Sequence, residues 1–442
     1  MEAPVSPGAT QQVAQPPIGP TPHPWRVTLT AELHARPYAV VTAPARLFHL
    51  AVVTGEASAD AERRHLGVLC SELGVAPPAG DASHFAAAFP GFRLTWERHT
   101  EFSTYTFILP AGEAEPFSAS PRRALPAAWI DALAGQTIAA VHLELLDRSA
   151  PSPSPLLLER VFRSGNIIGN VAAGGRAAVW SDLDLDADGT VRLLVHDLGM
   201  SPRQTGRMAQ RLLEIHTYCM TALLALPLAR EIGPAVSRME RELADIAQAL
   251  PAAGSPDDEQ AMLKRLSALA AEVESLAART PYRFGAARAY HALVTRRIGE
   301  LREQRVEGQQ TIGEFMDRRL GPAMRTCETM QQRLEHLSQR VARASEMLRT
   351  RVDVTLAAQN RDLLASMDRR AKLQLRLQQT VEGLSVAAIT YYAVGLVSYL
   401  TQGVIGAGLL LPKELIVGGA VPIFAAIAWL GLRRLHRKLD DH

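Results

Sequence analysis

Between residues 26 and 200, short apolar runs alternate with turn residues, and the runs are rich in Val, Thr, Ile, Phe and Tyr. The segments "RVTLTAEL", "ARLFHLAVVTG", "FRLTWERHTEFSTYTFILP", "TIAAVHLELL" and "RAAVWSDLDLDADGTVRLLVHDL" therefore read as strands. "ADAERRHLGVLCSELG" and "ALPAAWIDALAG" read as short helices. The pattern predicts an α+β N-terminal domain with a mostly antiparallel sheet. At Ser201 the period changes. "SPRQ" offers an N-cap Ser, Pro at the first helical position and Gln three residues after the cap, and a helix-rich region follows. Pro227 and Pro234 are expected to kink or break it, and 251–260 to form a loop. Helices are expected over 257–279 and 284–320, the second stopping at Gly321-Pro322.

From Ala323 to Glu382 there is neither Pro nor Gly. Met330, Leu334, Leu337, Val341, Ala344 and Leu348 keep the four–three spacing of a coiled-coil seam. The seam fits an intramolecular antiparallel bundle or a parallel oligomeric stalk. Charge then stops. No charged side chain occurs from Gly383 to Pro412, and a second apolar run covers Leu415–Leu432. Charge-free stretches of about 20 residues match a bilayer core about 30 Å thick. The expectation is a helical hairpin with spans near 384–403 and 415–432. Arg369, Arg370, Lys372 and Arg376 precede the first span, and Arg433, Arg434, Arg437 and Lys438 follow the second. This distribution places both termini in the cytoplasm. Tyr391 and Tyr392 fall in mid-span, where their hydroxyls need partners, so they are expected to face other helices. The resulting domain order is a disordered Pro-rich segment (1–25), an α/β domain (26–200), a helical bundle or stalk (201–382), a transmembrane hairpin (383–433) and a basic tail (434–442).

Composition narrows the chemistry. The 442 residues carry a net charge of +2, so no basic field points to nucleic acid. Cys70, Cys219 and Cys327 are far apart and fit a reducing compartment. The N-terminus lacks an apolar stretch behind basic residues and does not read as a secretory signal. Asp184, Asp186, Asp188 and Gly189 open like a calcium loop, but Val195 stands where a bidentate Glu is required. Asp188-Gly189 is better read as a hairpin turn. "GNIIGNVAAGG" lacks both the dinucleotide fingerprint and a P-loop Lys. His216 and Cys219 are two residues, not a zinc site, and fit core packing. "ELHARPY" sets Glu32, His34 and Arg36 on one face if it is a strand, and "WERHTEFSTYTF" does the same for Glu97, His99 and Glu101. His34, Arg36, His99 and Glu101 are therefore candidate ligand or subunit contacts. Nothing in these patterns calls for a catalytic residue, a metal or a cofactor.

Several stretches resemble a bacterial family of uncharacterised, predicted membrane-anchored proteins, a domain-of-unknown-function family. They are "ELHARPY", "RHTEFSTYTF", "QRLLEIHTYCMTALLALPLAR", "RFGAARAYHALVTRRIGELRE", "LRTRVDVTLAAQN" and "SMDRRAKLQLRLQQTVEGLSVAAITYYAVGL". The resemblance spans the chain from about residue 25 to its end and implies no activity. In layout alone the chain is also similar to CorA-type magnesium channels, whose Gly-Met-Asn motif is replaced here by "YAVGLVSYLTQG". Two functions are expected in turn. One is a non-enzymatic protein of the bacterial inner membrane, homo-oligomeric, whose cytoplasmic domain senses a ligand or binds a partner. The other is an oligomeric cation channel, passing a divalent ion, with Tyr391, Gly395, Ser398 and Gln402 lining a pore or packing helices.

Overall fold

In the computed structural model, nine strands hydrogen-bond into one sheet. The order is β2 (His84–Phe89), β3 (Phe92–Arg98), β4 (Phe102–Pro110), β1 (Ala45–Val53), β5 (Gln136–Leu146), β8 (Val191–Asp197), β7 (Ala177–Ser181), β6 (Ile168–Ala172) and β9 (Gln304–Arg305). The structure describes residues 23–34, 37–55, 59–111, 115–163, 165–253, 255–406 and 412–439; for 31–34, 404–406 and 432–439 it describes the backbone alone. The β5–β8 pair is parallel and the other pairs are antiparallel. The chain divides into two compact units, Met1–Asp245 with Ala268–Val341, and Ile246–Ser267 with Ala342–His442.

Within the first unit the sheet is covered on both faces, which is why β1, β8 and the 141–145 stretch of β5 are buried at nearly every position rather than at alternate ones. On one face, α2 (Ala59–Glu72) and α3 (Ala127–Asp131) bring Leu66, Leu69, Trp129 and Ile130 against Phe48, Leu94, Trp96, Tyr105 and Phe107. Glu62 is buried beneath α2 and accepts from Trp96 Nε1 at 3.0 Å and from Tyr105 Oη and Arg98 Nε at 3.5 Å. Further along that face, α4 (Pro155–Val161) packs Leu158 and Val161 on Leu194 and Phe117. The opposite face carries α5 (Pro202–Leu223), which opens with the Ser201–Gln204 capping box and packs against α8 (Pro281–Leu301).

Three expectations change. "RVTLTAEL" begins a helix, α1 (Arg26–His34), not a strand. Glu32 and His34 therefore lie on a helix and not on a strand, while Arg36 lies outside the described residues. The long segment from Phe92 to Pro110 is a hairpin, because the chain reverses at 99–101 with His99 N–H donating to the Phe102 carbonyl at 2.8 Å. The third change concerns the break after α8. The helix stops at Leu301, where Arg302 takes a left-handed φ of 50°. The chain then adds β9 to the sheet edge and restarts as α9 (Ile312–Gly406), running through Gly321-Pro322. The restart is capped twice. Thr311 and Glu314 bond each other's backbone amides at 3.1 Å, and the Glu303 carboxylate accepts from Ile312 and Gly313 at 3.1 and 3.0 Å. Those bonds favour the Glu303 carboxylate, but burial dominates and raises its pKa.

Helix α6 (Ala225–Ala249) follows α5 after a one-residue interruption at Leu224 and carries Pro234 in its interior. Met330, Leu334, Leu337 and Val341 are buried within the first unit. A Cβ at Gly233 of α6 would sit 3.4 Å from Met330 Cε, and Arg333 reaches Glu240 of α6 at 3.1 Å. This part of the seam is thus filled within one chain. In the second unit, Arg351 ties α9 to the start of α7 (Pro256–Arg279) and to the turn before it. Its Nε donates to Glu259 at 2.6 Å, and its Nη1 and Nη2 donate to the Leu250 and Ala253 carbonyls, both at 2.7 Å. Beyond Thr355 the described side chains of α9 are largely exposed as far as α10 (Lys413–Leu439).

Among the described residues, three helical stretches are long and apolar enough to cross a membrane by length and composition. Burial separates them. The apolar window in Pro202–Ala252 is 61 % buried and belongs to the core, whereas those in Ile312–Gly403 and Lys413–Gly431 are 0 % and 6 % buried.

Candidate functional site

The sheet face under α5 is unusual for an interior layer because it is polar. Strand pleating sends Leu47 and His49 of β1, Thr104, Thr106 and Ile108 of β4, and Thr95 and Glu97 of β3 to this side. Facing them, α5 presents Ala209, Gln210, Leu213, Glu214, Thr217 and Tyr218 at helical spacing. Between the two layers lies a cavity of about 50 Å³. That is room for roughly three to five waters or as many ligand atoms. Its lip is the segment Pro37–Val41, fixed by a Val41 N–H bond to the Pro202 carbonyl at 3.1 Å. The lip approaches α5 at Gly206, where a Cβ would fall 1.7 Å from the Ala39 carbonyl oxygen. Gly is disfavoured by about 1 kcal/mol in a helix interior, and the close approach accounts for it here.

His49 stands at the floor, 5 % exposed. Its Nδ1 is 2.8 Å from Thr106 Oγ1 and its Nε2 is 3.0 Å from Thr217 Oγ1. Burial, reinforced by His216 and His99, pushes its pKa down to about 3, and burial pushes that of His216 down to about 4. Both imidazoles are therefore neutral at neutral pH. So weak a base is poorly matched to proton abstraction near pH 7, and burial raises the Cys219 thiol to about 11, where it is no nucleophile. At the rim, Glu214 accepts from Gln210 Nε2 at 2.9 Å and pairs with Arg297 of α8. His99 stacks on Phe102 with centroids 4.5 Å apart, and Tyr218 meets both rings edge-on while stacking on Tyr290 of α8.

The sequence candidates are distributed unevenly. His99 and Glu97 line the cavity. Glu101 turns away and binds Arg283 Nη2 at 2.9 Å. His34 lies on α1, where only the backbone is described. His49, Thr106 and Thr217 escaped sequence reading because 57 and 168 positions separate His49 from its partners. Asp186 confirms the hairpin reading of its loop, accepting from the Asp188 and Thr190 amides at 2.9 Å and from Arg192 Nε at 3.0 Å. Among the described residues no group of three or more His, Cys, Asp or Glu could hold a metal ion.

On α9, Tyr391 and Tyr392 are not buried against another helix among the described residues. They are 77 % and 71 % exposed and meet each other edge-on. Gln402 is exposed and Gly395 and Ser398 are half-buried. The hydroxyls of Ser385, Thr390 and Thr401 donate to the carbonyls of Val381, Val386 and Val397 of their own helix at 2.7–2.8 Å, so they need no outside partner.

No curated protein matches this chain. Among solved structures, the full-length CmaX protein matches at 12 % identity over 81 % of this chain and 100 % of its own, with a TM-score of 0.19, a likeness that carries no argument about fold or function. None of these comparisons supports the layout resemblance to CorA-type channels. The model of a family described as "Protein of unknown function (DUF3422)" matches residues 21–439, and the chain belongs to that family.

Proposed function

We propose that this protein is a non-enzymatic membrane protein. A helical hairpin, the end of α9 and α10, anchors it in a bacterial inner membrane with both termini in the cytoplasm. Its α/β unit binds a ligand or partner on the cytoplasmic side. The observation that carries this reading is the exposure of the two terminal apolar windows. Leu384, Leu396, Leu400, Leu415 and Ile423 are each more than half exposed, and withdrawing one such side chain from water is worth about 1.5–3 kcal/mol. Soluble monomers rarely leave so continuous an apolar surface uncovered. The covered positions, Thr390, Val394, Val397 and Thr401 on α9 and Ile416, Ala420, Phe424 and Ala428 on α10, of which Thr401 and Ala420 are buried and the others half-buried, repeat every three or four residues, which fits two helices side by side. On α9 upstream, the exposed residues Leu356, Leu363, Met367, Leu377 and Val381 share one stripe and supply a surface for self-association.

Membrane fractionation tests the anchor. The full-length protein is expected in the pellet after detergent-free lysis and ultracentrifugation, and to resist alkaline carbonate extraction. Ala393→Arg is expected to cost about 2.5–3.5 kcal/mol of insertion and to reduce the membrane-integrated fraction. Recovery of intact wild-type protein in the supernatant would refute the anchor.

A further inference from the structure

We infer that residues 356–384 of α9 form a parallel, in-register coiled coil with the same residues of a second copy of this chain. The pairing deepens the self-association proposed above and rests on the membrane anchor for its direction. From Leu356, positions 360, 363, 367, 370, 374, 377, 381 and 384 follow in alternate steps of four and three, the spacing of a coiled-coil seam. Leu356, Leu363, Met367, Leu377, Val381 and Leu384 fill six of them and are each 54–73 % exposed. The positions flanking the seam carry no charge and include Leu364 and Leu373, both 65 % exposed. Between 356 and 381 the charged residues Arg361, Asp362, Asp368, Arg369, Lys372 and Arg376 fall on the other side of the helix, where Lys372 pairs with Asp368 at 2.7 Å, and Arg370 is the exception. Charge on one side and none on the other describes a helix that stands in water with one face to cover. The intramolecular bundle ends short of that face. The turn before α7 meets α9 at Arg351 through Leu250 and Ala253, and the side chains beyond Thr355 are left largely exposed. Nor does the face continue the upstream seam, whose steps from Met330 lead to Arg351 and Thr355, one residue out of phase with Leu356.

A second copy fits this face in area, charge and direction. The six seam residues with Leu364 and Leu373, each more than half exposed, present on the order of 900 Å², where a stable interface needs about 800 Å² from each partner. Charged flanking positions select a different partner or the opposite direction. Here they are uncharged, so the face is complementary to itself. Two copies held by the same hairpin in one membrane send α9 out on the same side and at the same depth, which sets the helices parallel and identical residues level. Leu384 ends the face and begins the apolar span, so the contact starts at the bilayer surface. Asn360 and Gln374 then pair across the seam, and Arg370 meets its own copy. Polar residues at seam positions fix the register at a cost in stability.

Disulfide cross-linking of the full-length protein in native membranes tests the pairing. Cys70, Cys219 and Cys327 are buried, so the wild type is expected to stay uncrosslinked under mild oxidation. Leu363→Cys and Leu377→Cys are each expected to give a cross-linked dimer, whereas Arg361→Cys and Arg376→Cys, on the charged side, are not. All four sites are exposed in the single chain, so the substitutions leave its buried core intact. When Leu356→Cys and Leu377→Cys are carried by separately tagged copies, parallel in-register helices hold the two thiols about 30 Å apart, and no mixed disulfide is expected. Arg370→Leu replaces a like-charge contact by an apolar one and is expected to tighten association about tenfold on dilution in detergent. Equal cross-linking on both sides of the helix, a mixed 356–377 disulfide, looser association of Arg370→Leu, or no cross-link at Leu363→Cys and Leu377→Cys in a protein that resists carbonate extraction overturns this inference alone. Recovery of the intact protein in the supernatant overturns the anchor, and the parallel direction falls with it.

Discussion

Acid should loosen the α/β unit through His49 and His216, and the size of the effect follows from their burial. In the folded chain their pKa values stand at about 3 and about 4, against 6.5 for an exposed imidazole. Between those values and 6.5 the unfolded chain binds more protons than the folded one, so stability falls as pH falls. The contribution is complete above pH 6.5 and lost progressively towards pH 3–4. At pH 5 the gap from 6.5 is 1.5 units, which at 1.36 kcal/mol per unit is about 2 kcal/mol for each residue and about 4 kcal/mol for the pair. Urea denaturation of the detergent-solubilised full chain, followed by tryptophan fluorescence, measures it. Trp96, Trp129 and Trp180 all report from the unit that holds both histidines. Carboxylates elsewhere add their own slope, so the decisive quantity is the difference between wild type and His49→Gln. The variant is expected to lose about 1–2 kcal/mol at pH 8, where the hydrogen bonds to Thr106 and Thr217 are altered. It is then expected to lose about 2 kcal/mol less than wild type on going to pH 5. Parallel pH profiles for the two proteins would refute the argument that His49 is buried neutral.

Other expectations follow from single contacts. Glu62→Ala leaves Trp96 Nε1, Arg98 and Tyr105 without their shared acceptor, and is expected to cost about 3 kcal/mol or more in thermal denaturation. Gly206→Ala forces α5 away from the Ala39 carbonyl; about 1–3 kcal/mol is expected to be lost, with faster hydrogen exchange at Val41. Arg351→Ala removes three bonds to Glu259, Leu250 and Ala253. A loss of about 2–4 kcal/mol is expected, and with it preferential protease cleavage near residue 254. Asn170 is 1 % exposed and neither amide atom has a partner among the described residues, so Asn170→Leu is expected to be neutral or to stabilise by about 1 kcal/mol in the same denaturation assay.

Local chemistry was readable in the chain where a signal was contained within a few residues. The Ser201–Gln204 box, the Asp188-Gly189 turn, the seam from Met330 to Leu348 and the loss of charge after Glu382 each depend on neighbours no more than one or two turns away. Thr311 and Glu314 form an equally local box, but Gly321-Pro322 is the more conspicuous stop signal in the chain, and α9 runs through it. Proline in a helix interior costs about 3 kcal/mol, and the buried contacts of Met324, Cys327 and Met330 on either side of the next turn offset it. "RVTLTAEL" misled through its β-branched residues, whose preference is weak enough for context to reverse.

By itself the sequence determined an N-terminal α/β domain, the mostly antiparallel character of its sheet, and a helix-rich region after it with two uncharged stretches near its end, because periodicity and charge are properties of adjacent positions. Only the tertiary structure decided the strand order, the addition of Gln304–Arg305 to the sheet edge and the polar cavity. His49, Glu97, Thr104 and Glu214 are brought together by strand pairing and by α5 crossing the sheet, and contacts across such separations leave no periodic trace along the chain.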